Sequence, residues 1–129
     1  MPIVKISLLK GRSGPEKKAL FDIVHSALVE AFKIPDRDRV QRIEELDKED
    51  FEIPPDRTDK FTIIELTILP GRSSTAKKEL YKRIFSQLKR LGYQDNDAVV
   101  ILNEPDLNNW GVRGGAAASE IDLGFNLNV

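Results

Sequence analysis

Residues 3–8 nearly alternate apolar and polar side chains, and residues 63–69 form a similar, mostly apolar run; both are typical of strands. Each segment is followed by apolar residues spaced three and four apart, and this spacing predicts an amphipathic helix. A second apolar run follows each helix, starting at Val40 and at Ala98. The pattern therefore predicts a strand, a helix and a strand, twice over. The apolar helix positions are Leu20, Val24, Ala27, Leu28, Ala31 and Phe32, then Leu80, Ile84, Leu88 and Leu91.

The two halves of the chain are related in sequence. GRSGPEKKAL at 11–20 and GRSSTAKKEL at 71–80 share six of ten residues at an offset of sixty. An internal repeat implies that each half is one structural unit, and two parallel strands joined by a helical crossover form such a unit. We predict an α/β (α+β) fold in which two tandem β-α-β units, related by pseudo-twofold symmetry, form a four-stranded sheet. Two helices lie on one face of that sheet.

We expect a single domain over residues 1–129, with one repeat at 1–46, a charged connector at 47–60 and a second repeat at 61–129. The last residues, 121–129, alternate apolar and polar side chains, which predicts a short C-terminal strand. The first strand of each half is apolar on both faces, and one helical layer covers one face only. We therefore predict a homotrimer in which subunits cover the second face and the C-terminal strand pairs across an interface.

Composition narrows the classes of function. The 129 residues include 20 Lys and Arg against 21 Asp and Glu, so no basic excess indicates a nucleic-acid partner. There is no cysteine, which excludes disulfides, thiolate nucleophiles and cysteine-bound zinc. Apolar runs are too short for a membrane span or a signal peptide. We expect a cytoplasmic globular protein with no metal and no cofactor.

Pro2 stands directly before the first predicted strand, where its missing N–H costs no ladder hydrogen bond. If Met1 is removed, Pro2 presents a free secondary amine at the start of the chain. A free α-amino group has a pKa near 7.7–8.0, and burial or nearby cations lower such a value. With cations close by, the neutral amine would act as a general base near pH 7.

Arg12 and Arg72 occupy equivalent places in the repeat, each after a first strand and before a helix. Ligands of α/β folds gather at the carboxyl ends of parallel strands, and a helix N-terminus favours an anion. A forked guanidinium suits a carboxylate. A surface arginine in a strand-to-helix turn is the alternative explanation for either residue.

Taken together, these features resemble the tautomerase superfamily. PIVKISLLKGRSGPEKK is similar to the 4-oxalocrotonate tautomerase pattern, and NEPDLNNWGVRGGAAASE resembles a later part of it. DIVHSALVEAFKIPDRDR and the fused repeat are similar to the malonate semialdehyde decarboxylase branch. The resemblance implies that Pro2 is the catalytic base, that Arg72 is a second catalytic residue and that Arg12 binds a small carboxylate substrate.

The resemblance also implies roles outside the repeated turn. Trp110 would form the apolar wall of a substrate pocket and Arg113 would bind substrate, whereas Asp38 would orient or activate a water. Asp97 repeats Asp38 in the second half, so an aspartate here could instead serve to start the following strand through a side-chain turn. The single histidine, His25, is predicted to be structural.

Three functions follow as alternatives: a Pro2-dependent keto–enol tautomerase for a small α-keto or enol carboxylic acid, a decarboxylase or hydratase that uses Asp38 and water, and a non-enzymatic trimer. The decarboxylase branch carries two arginines around a proline after its third strand. This chain has Pro70, Gly71 and a single guanidinium at Arg72, which favours tautomerisation.

Overall fold

Each half of the chain folds as a strand, a helix and a second strand parallel to the first. The computed structural model describes residues 1–129. The regular elements are β1 (Ile3–Leu9), α1 (Gly14–Phe32), β2 (Val40–Leu46), β3 (Thr62–Thr67), α2 (Ser74–Arg90), β4 (Ala98–Asn103), β5 (Gly111–Val112) and β6 (Ala116–Ala117), with single 3-10 turns at Lys48–Asp50, Leu107–Asn109 and Ala118–Glu120. Neither helix combines the length and the apolar character needed to cross a membrane.

The predicted fold class is confirmed. The main sheet has the order β2-β1-β3-β4, with β1 parallel to β2 and β3 parallel to β4. The two central strands are antiparallel, and Ile3 pairs with Thr67. As a result, β1 and β2 begin at the edge of the sheet where β3 and β4 end. We call this the Pro2 edge, and we call the opposite one the Arg12 edge.

The repeated Gly-Arg-Ser turn starts both helices. Gly11 and Gly71 have φ values of 116° and 122°, in the region that side chains disfavour, so glycine lets the chain turn out of each strand. The serine that follows caps each helix: Ser13 Oγ accepts the N–H of Glu16 at 3.2 Å, and Ser73 Oγ accepts that of Ala76 at 3.1 Å. The same Gly-Arg-Ser sequence therefore begins a helix in each half of the chain.

The helices pack on one face of the sheet and enclose the core. Alternate residues of β1 and β3 point into this layer, as expected for pleated strands. The predicted apolar positions of both helices are buried in the same cluster, apart from Leu91, which is 40% exposed. The largest fully buried side chains include Ile6, Leu8, Leu20, Leu28, Phe32, Ile64, Leu66, Leu80, Ile84 and Leu88.

The opposite face of the sheet is open in the single chain. Val40, Val99 and Ile101 are 52%, 42% and 40% exposed, respectively. Charged residues interrupt this apolar surface, with Lys5 Nζ 2.9 Å from the carboxylate of Glu44. The helical layer thus covers one face only, as the strand pattern predicts.

The C-terminal tail, residues 121–129, differs from its prediction because it contains no strand. Its backbone N–H groups turn to local side chains instead: Gly124 donates to Asp122 Oδ1 and Asn128 donates to Asn126 Oδ1. Such turns compete with a ladder, and Gly124 has a φ of 80°, far from the extended region. A short antiparallel pair, β5 with β6, precedes the tail.

Asp97 shows why the connector between the repeats is ordered. Its carboxylate accepts hydrogen bonds from the N–H and the hydroxyl of Thr58, at 2.9 and 2.7 Å, and from the N–H of Gln94 at 3.0 Å. Burial alone would raise the pKa of Asp97, but these hydrogen bonds outweigh it and hold the pKa below its ordinary value of 3.8. Asp97 is therefore a structural residue that fastens the connector to the start of β4.

We predict that Asp97→Asn lowers the free energy of unfolding by roughly 2 kcal/mol, because hydrogen bonds to a buried charge are lost. The folded pKa is lowered, so the ionised form stabilises the fold above the unfolded pKa, and that stabilisation is lost as pH falls through the folded value. Urea unfolding should therefore show a difference between variant and parent that shrinks below about pH 4. Asp95→Asn, at an exposed neighbour, is the control. A difference that stays constant to pH 2 would contradict this account.

Candidate active site

Four of the six predicted site residues belong to segments that meet at the Pro2 edge. Pro2 precedes β1, Asp38 precedes β2, Arg72 follows β3 and Trp110 follows β4. Because the central strands are antiparallel, two strand beginnings and two strand ends share this edge. The topology thus gathers segments that are far apart in sequence.

The first residues of the chain lie against Asp38. Pro2 is buried and stands just outside the ladder that begins at Ile3. The amino nitrogen of Met1 is 3.4 Å from Asp38 Oδ2, and the Asp38 carboxylate remains partly exposed. The N–H of Asp38 donates to the carbonyl of Pro35 at 3.0 Å, which fixes the turn before β2. The Asp38 carboxylate therefore lies beside the residue that precedes Pro2.

Arg72 is buried and lies close to two aromatic rings. The residue is 6% exposed, and its guanidinium carbon lies 5.1 Å from the ring centre of Phe32 and 6.0 Å from that of Phe125. Nη1 donates to the carbonyl of Leu69 at 2.8 Å, whereas Nε is buried with no hydrogen-bond partner. Contact with the two rings restricts the guanidinium.

Burial lowers the pKa of Arg72 below its ordinary value, and the carboxylate of Glu104 acts in the opposite direction. The guanidinium stays charged at neutral pH, because arginine remains protonated in proteins. Glu104 is itself bridged to Lys77 Nζ at 2.7 Å. The site therefore contains a buried positive charge whose direct hydrogen bond is to a neutral carbonyl, which is the electrostatic setting for binding a carboxylate.

A small apolar cluster borders these groups. We call it the tryptophan cluster; Leu69, Trp110 and Ala118 form its buried centre. Trp110 is fixed from two sides, because its indole N–H donates to the carbonyl of Pro105 at 3.1 Å and its own carbonyl accepts the N–H of Ala118 at 2.9 Å. The partly buried residues packed around the centre are Met1, Ile3, Leu107, Val112, Leu123, Phe125 and Leu127.

The tail completes this border. The carbonyl of Val129 accepts a hydrogen bond at 2.8 Å from the N–H of Ser73, the residue that follows Arg72. A side chain at Gly71 would lie 3.2 Å from Leu127, so glycine is needed where the tail crosses the turn. The alternation in the tail did indicate one apolar side, but the surface that this side contacts could not be read from the pattern.

Arg12 lies at the Arg12 edge, on the far end of β1. Its guanidinium donates to the hydroxyl of Tyr93 and, at 3.3 Å, to the carbonyl of Asp59, and it stacks 5.5 Å from the Tyr93 ring centre. Seven residues of strand separate the two edges, which is a distance of about 20 Å. A single chain therefore does not bring Arg12 to Pro2, and its predicted role as a substrate ligand applies only to a site completed by another subunit.

Arg113 lies in the exposed turn between β5 and β6, with a φ of 47°. Its Nη1 donates to the carbonyl of Asp122 at 3.0 Å, so it holds the tail. His25 is buried on α1, with Nε2 3.2 Å from Asp36 Oδ1. These positions give both residues structural contacts, and for His25 that is the role the sequence suggests.

Sequence reasoning missed the residues that hold Arg72. Phe32 appears in the helical pattern as a core residue, and Phe125 appears in the tail as an alternating apolar residue. Neither pattern indicates a ring stacked on a guanidinium. The stacking becomes visible only in the structure, where the end of α1 and the tail both approach the turn that contains Arg72.

Known proteins resemble this chain in sequence. Residues 38–113 match one family described as a tautomerase enzyme, and residues 2–59 match another with the same description. YusQ, a probable tautomerase of Bacillus subtilis (strain 168), is 30% identical over 123 residues, covering 91% of this chain and 97% of that protein. YrdN, a second probable tautomerase of the same organism, is 28% identical over 116 residues, covering 85% of this chain and 89% of that protein. The chain belongs to the tautomerase family.

Solved structures agree with this assignment. The crystal structure of a malonate semialdehyde decarboxylase inhibited by 3-bromopropiolate is 27% identical, with a TM-score of 0.80 over 94% of this chain and 98% of that one. Native fused 4-OT has a TM-score of 0.80 over 95% of this chain and 99% of that one, at 17% identity. The second likeness shows the fold alone.

Proposed function

We propose that this chain, once Pro2 is its first residue, catalyses keto–enol tautomerisation of a small 2-oxo carboxylic acid. The observation that carries the proposal is the convergence, at one edge of the sheet, of the chain's first residues, a buried guanidinium with an unused donor, and an apolar wall. The probable tautomerases to which the chain is similar support it.

In the proposed reaction the neutral Pro2 nitrogen removes the hydroxyl proton of the enol. The oxygen electron pair forms the carbonyl double bond, and the carbon–carbon π electrons take a proton from the Pro2 ammonium at C3. Atoms and charge balance within one isomerisation. Trp110 and its neighbours would keep water from the reacting carbons, and Arg72 would hold the substrate carboxylate.

The free amine of Pro2 is tested by comparing three proteins: untagged protein starting at Pro2, Pro2→Ala, and protein that retains Met1. Mass spectrometry establishes the first residue of each, and loss of enol absorbance follows the ketonisation of phenylenolpyruvate. Pro2→Ala leaves a primary amine, so we expect a large but incomplete loss of rate. Protein that retains Met1 should be inactive, because Pro2 is then an amide. A Pro2→Ala variant as fast as the parent would remove this mechanism.

Substitution of the two repeated arginines should have very different effects on kcat/KM. Arg72→Ala should raise KM and lower kcat, because the cation binds the carboxylate and favours the neutral amine; we expect a loss of roughly 10- to 100-fold in kcat/KM. Arg12→Ala, at the Arg12 edge, should leave kcat/KM within about twofold of the parent. An equal loss in both variants would place Arg12 of another subunit in the site.

A second function is favoured by the position of Asp38, whose carboxylate lies 3.4 Å from the amino nitrogen of Met1, the residue directly before Pro2. A carboxylate beside the amine of Pro2 would favour its protonated form. In that form it cannot act as a base, but it can polarise a substrate carbonyl while Asp38 takes a proton from water. The hydroxide equivalent then adds to the carbonyl carbon, and the carbonyl oxygen takes a proton from the Pro2 ammonium. The proton held by Asp38 returns to the Pro2 amine, so water is added and both groups are restored. This is hydration of a 3-oxo acid, and the related decarboxylase structures are described in terms of decarboxylase and hydratase activities.

The pH dependence separates the two functions, because they need opposite forms of Pro2. Ketonisation should rise with pH as the amine loses its proton, whereas hydration should fall over the same range. Asp38→Asn should reduce hydration strongly and leave ketonisation unchanged or faster, since it removes the carboxylate that favours the ammonium. Ketonisation that falls with rising pH would rule out Pro2 as the base.

We also propose that the protein assembles as a homotrimer through the open face of its sheet. Exposed Val40, Val99 and Ile101 leave that face apolar. Related fused 4-OT structures, at 19% identity, are described as trimers.

The assembly is tested with Ile101→Glu, which places a charge on the open face. We expect light scattering to show a trimer for the parent and smaller species for this variant, because a buried unpaired charge is costly. Leu91→Glu is the matched control, since Leu91 is equally exposed, at 40%, but lies just after α2. Parent protein that is monomeric at micromolar concentration would contradict the proposal.

A further inference from the structure

We propose that residues 125–129 form a gate over Arg72, and that an anionic ligand reaches the guanidinium only by displacing this gate. The inference rests on the proposed function for the class of ligand, a 2-oxo carboxylate. It goes further by assigning a segment of the chain that controls access to the buried charge, and this control can be measured without catalysis.

The gate lies against the turn that starts α2. The ring centre of Phe125 is 6.0 Å from the guanidinium carbon of Arg72. A side chain at Gly71 would lie 3.2 Å from Leu127. Phe32 also lies on the guanidinium, at 5.1 Å, but it is fully buried in the core. Phe125 is only partly buried, so the gate is the cover of Arg72 that can leave while the core stays closed.

One hydrogen bond distinguishes the two repeated turns. The N–H of Ser73 donates to the carbonyl of Val129 at 2.8 Å, whereas the N–H of Ser13, at the same place in the first repeat, makes no such bond. Both N–H groups follow an arginine and precede a helix, so their intrinsic rates of exchange with water are alike. Exchange at Ser73 therefore measures the closed gate, and exchange at Ser13 is the reference without one.

Few contacts hold the gate in place. The tail, residues 121–129, contains no buried residue. Two hydrogen bonds join it to the rest of the chain: the bond from Ser73, and one from Arg113 to the carbonyl of Asp122. The second bond lies outside the gate. A segment with so few buried contacts opens locally at a small cost in free energy.

The gate also keeps its own hydrogen bonds when it moves. The N–H of Asn128 donates to Asn126 Oδ1 at 3.0 Å, and the N–H of Val129 donates to the carbonyl of Leu127 at 3.2 Å. Both bonds lie within the gate. Opening therefore costs one hydrogen bond, that of Ser73, and the apolar contacts of the gate.

The guanidinium gains from this opening. Arg72 is 6% exposed, its Nε is buried without a partner, and its Nη1 donates to a neutral carbonyl. An open gate returns water to the charge, and a carboxylate in the place of Phe125 would pair with it directly. The anion and the gate thus compete for one guanidinium, and the bound anion keeps the gate open.

Two measurements on untagged protein starting at Pro2 follow the gate. Solvent-exchange NMR compares the N–H of Ser73 with that of Ser13. Phenylglyoxal, which modifies accessible guanidinium groups, compares Arg72 with the exposed Arg90 through peptide mass spectrometry. We expect Ser73 to exchange, and Arg72 to react, about tenfold more slowly than its reference or slower still. An equal rate within either pair would overturn the proposal.

Phe125→Ala should accelerate both exchange at Ser73 and modification of Arg72, by about threefold or more, because both require the open form. Phe51→Ala is the matched control, since Phe51 is also partly buried but packs on Phe61 in the connector region. It should leave both rates unchanged, and amides in the middle of α2 should keep their protection in both variants. Acceleration of one process without the other would show that no common opening exists.

The competition is tested by adding 2-oxobutanoate as the probe. We expect slower modification of Arg72 together with faster exchange at Ser73, because the bound carboxylate covers the guanidinium while the gate is open. Slower exchange at Ser73 would mean that the tail closes over the ligand, and this result would overturn the proposal. No change in either rate would overturn it as well.

These outcomes separate the gate from the proposed function. Opposite changes at Arg72 and Ser73 in a protein that does not ketonise phenylenolpyruvate would keep the gate and remove the proposed function. Ketonisation by a protein whose Ser73 exchange is unaffected by 2-oxobutanoate would remove the gate alone.

Discussion

The antiparallel pairing of β1 with β3 decides which residues of this chain can meet. Each half brings the same elements in the same order, but the two halves lie head to tail across the centre of the sheet. Equivalent residues of the repeat therefore fall on opposite edges. Pro2 and Asp38, which precede the two strands of the first half, thus share an edge with Arg72 and Trp110, which follow the two strands of the second half.

Burial of Arg72 is the second constraint, and it explains the position of the tail. A guanidinium that is almost inaccessible to water needs compensation for its lost hydration. Here it receives a backbone carbonyl, two ring faces and a distant carboxylate, and one donor is left over. One of the two rings comes from the tail, so the same segment that borders the apolar wall also shields the charge.

Local chemistry made much of this fold predictable from sequence. Helix starts, helix faces and the strand order within each half follow from the Gly-Arg-Ser turn and from apolar spacing, and the structure confirms them. The prediction of a strand in the tail was wrong, because the alternation of apolar and polar residues does not show that aspartate and asparagine side chains accept hydrogen bonds from the tail's N–H groups. The difference between Arg12 and Arg72 was also hidden, since identical local sequence says nothing about which edge carries the start of the chain.

Because the chain is duplicated, the position of Pro2 before β1 has a counterpart at the start of β3, and the two positions differ. At an offset of sixty, the counterpart of Pro2 is Thr62, whose nitrogen is an interior amide that donates to the carbonyl of Asp97 at 2.9 Å. The connector occupies that region, fastened by the carboxylate that corresponds to Asp38. If Pro2 acts as proposed, each chain offers one reactive proline amine and not two, and the stoichiometry of a covalent label on that amine is one per chain, however many subunits assemble.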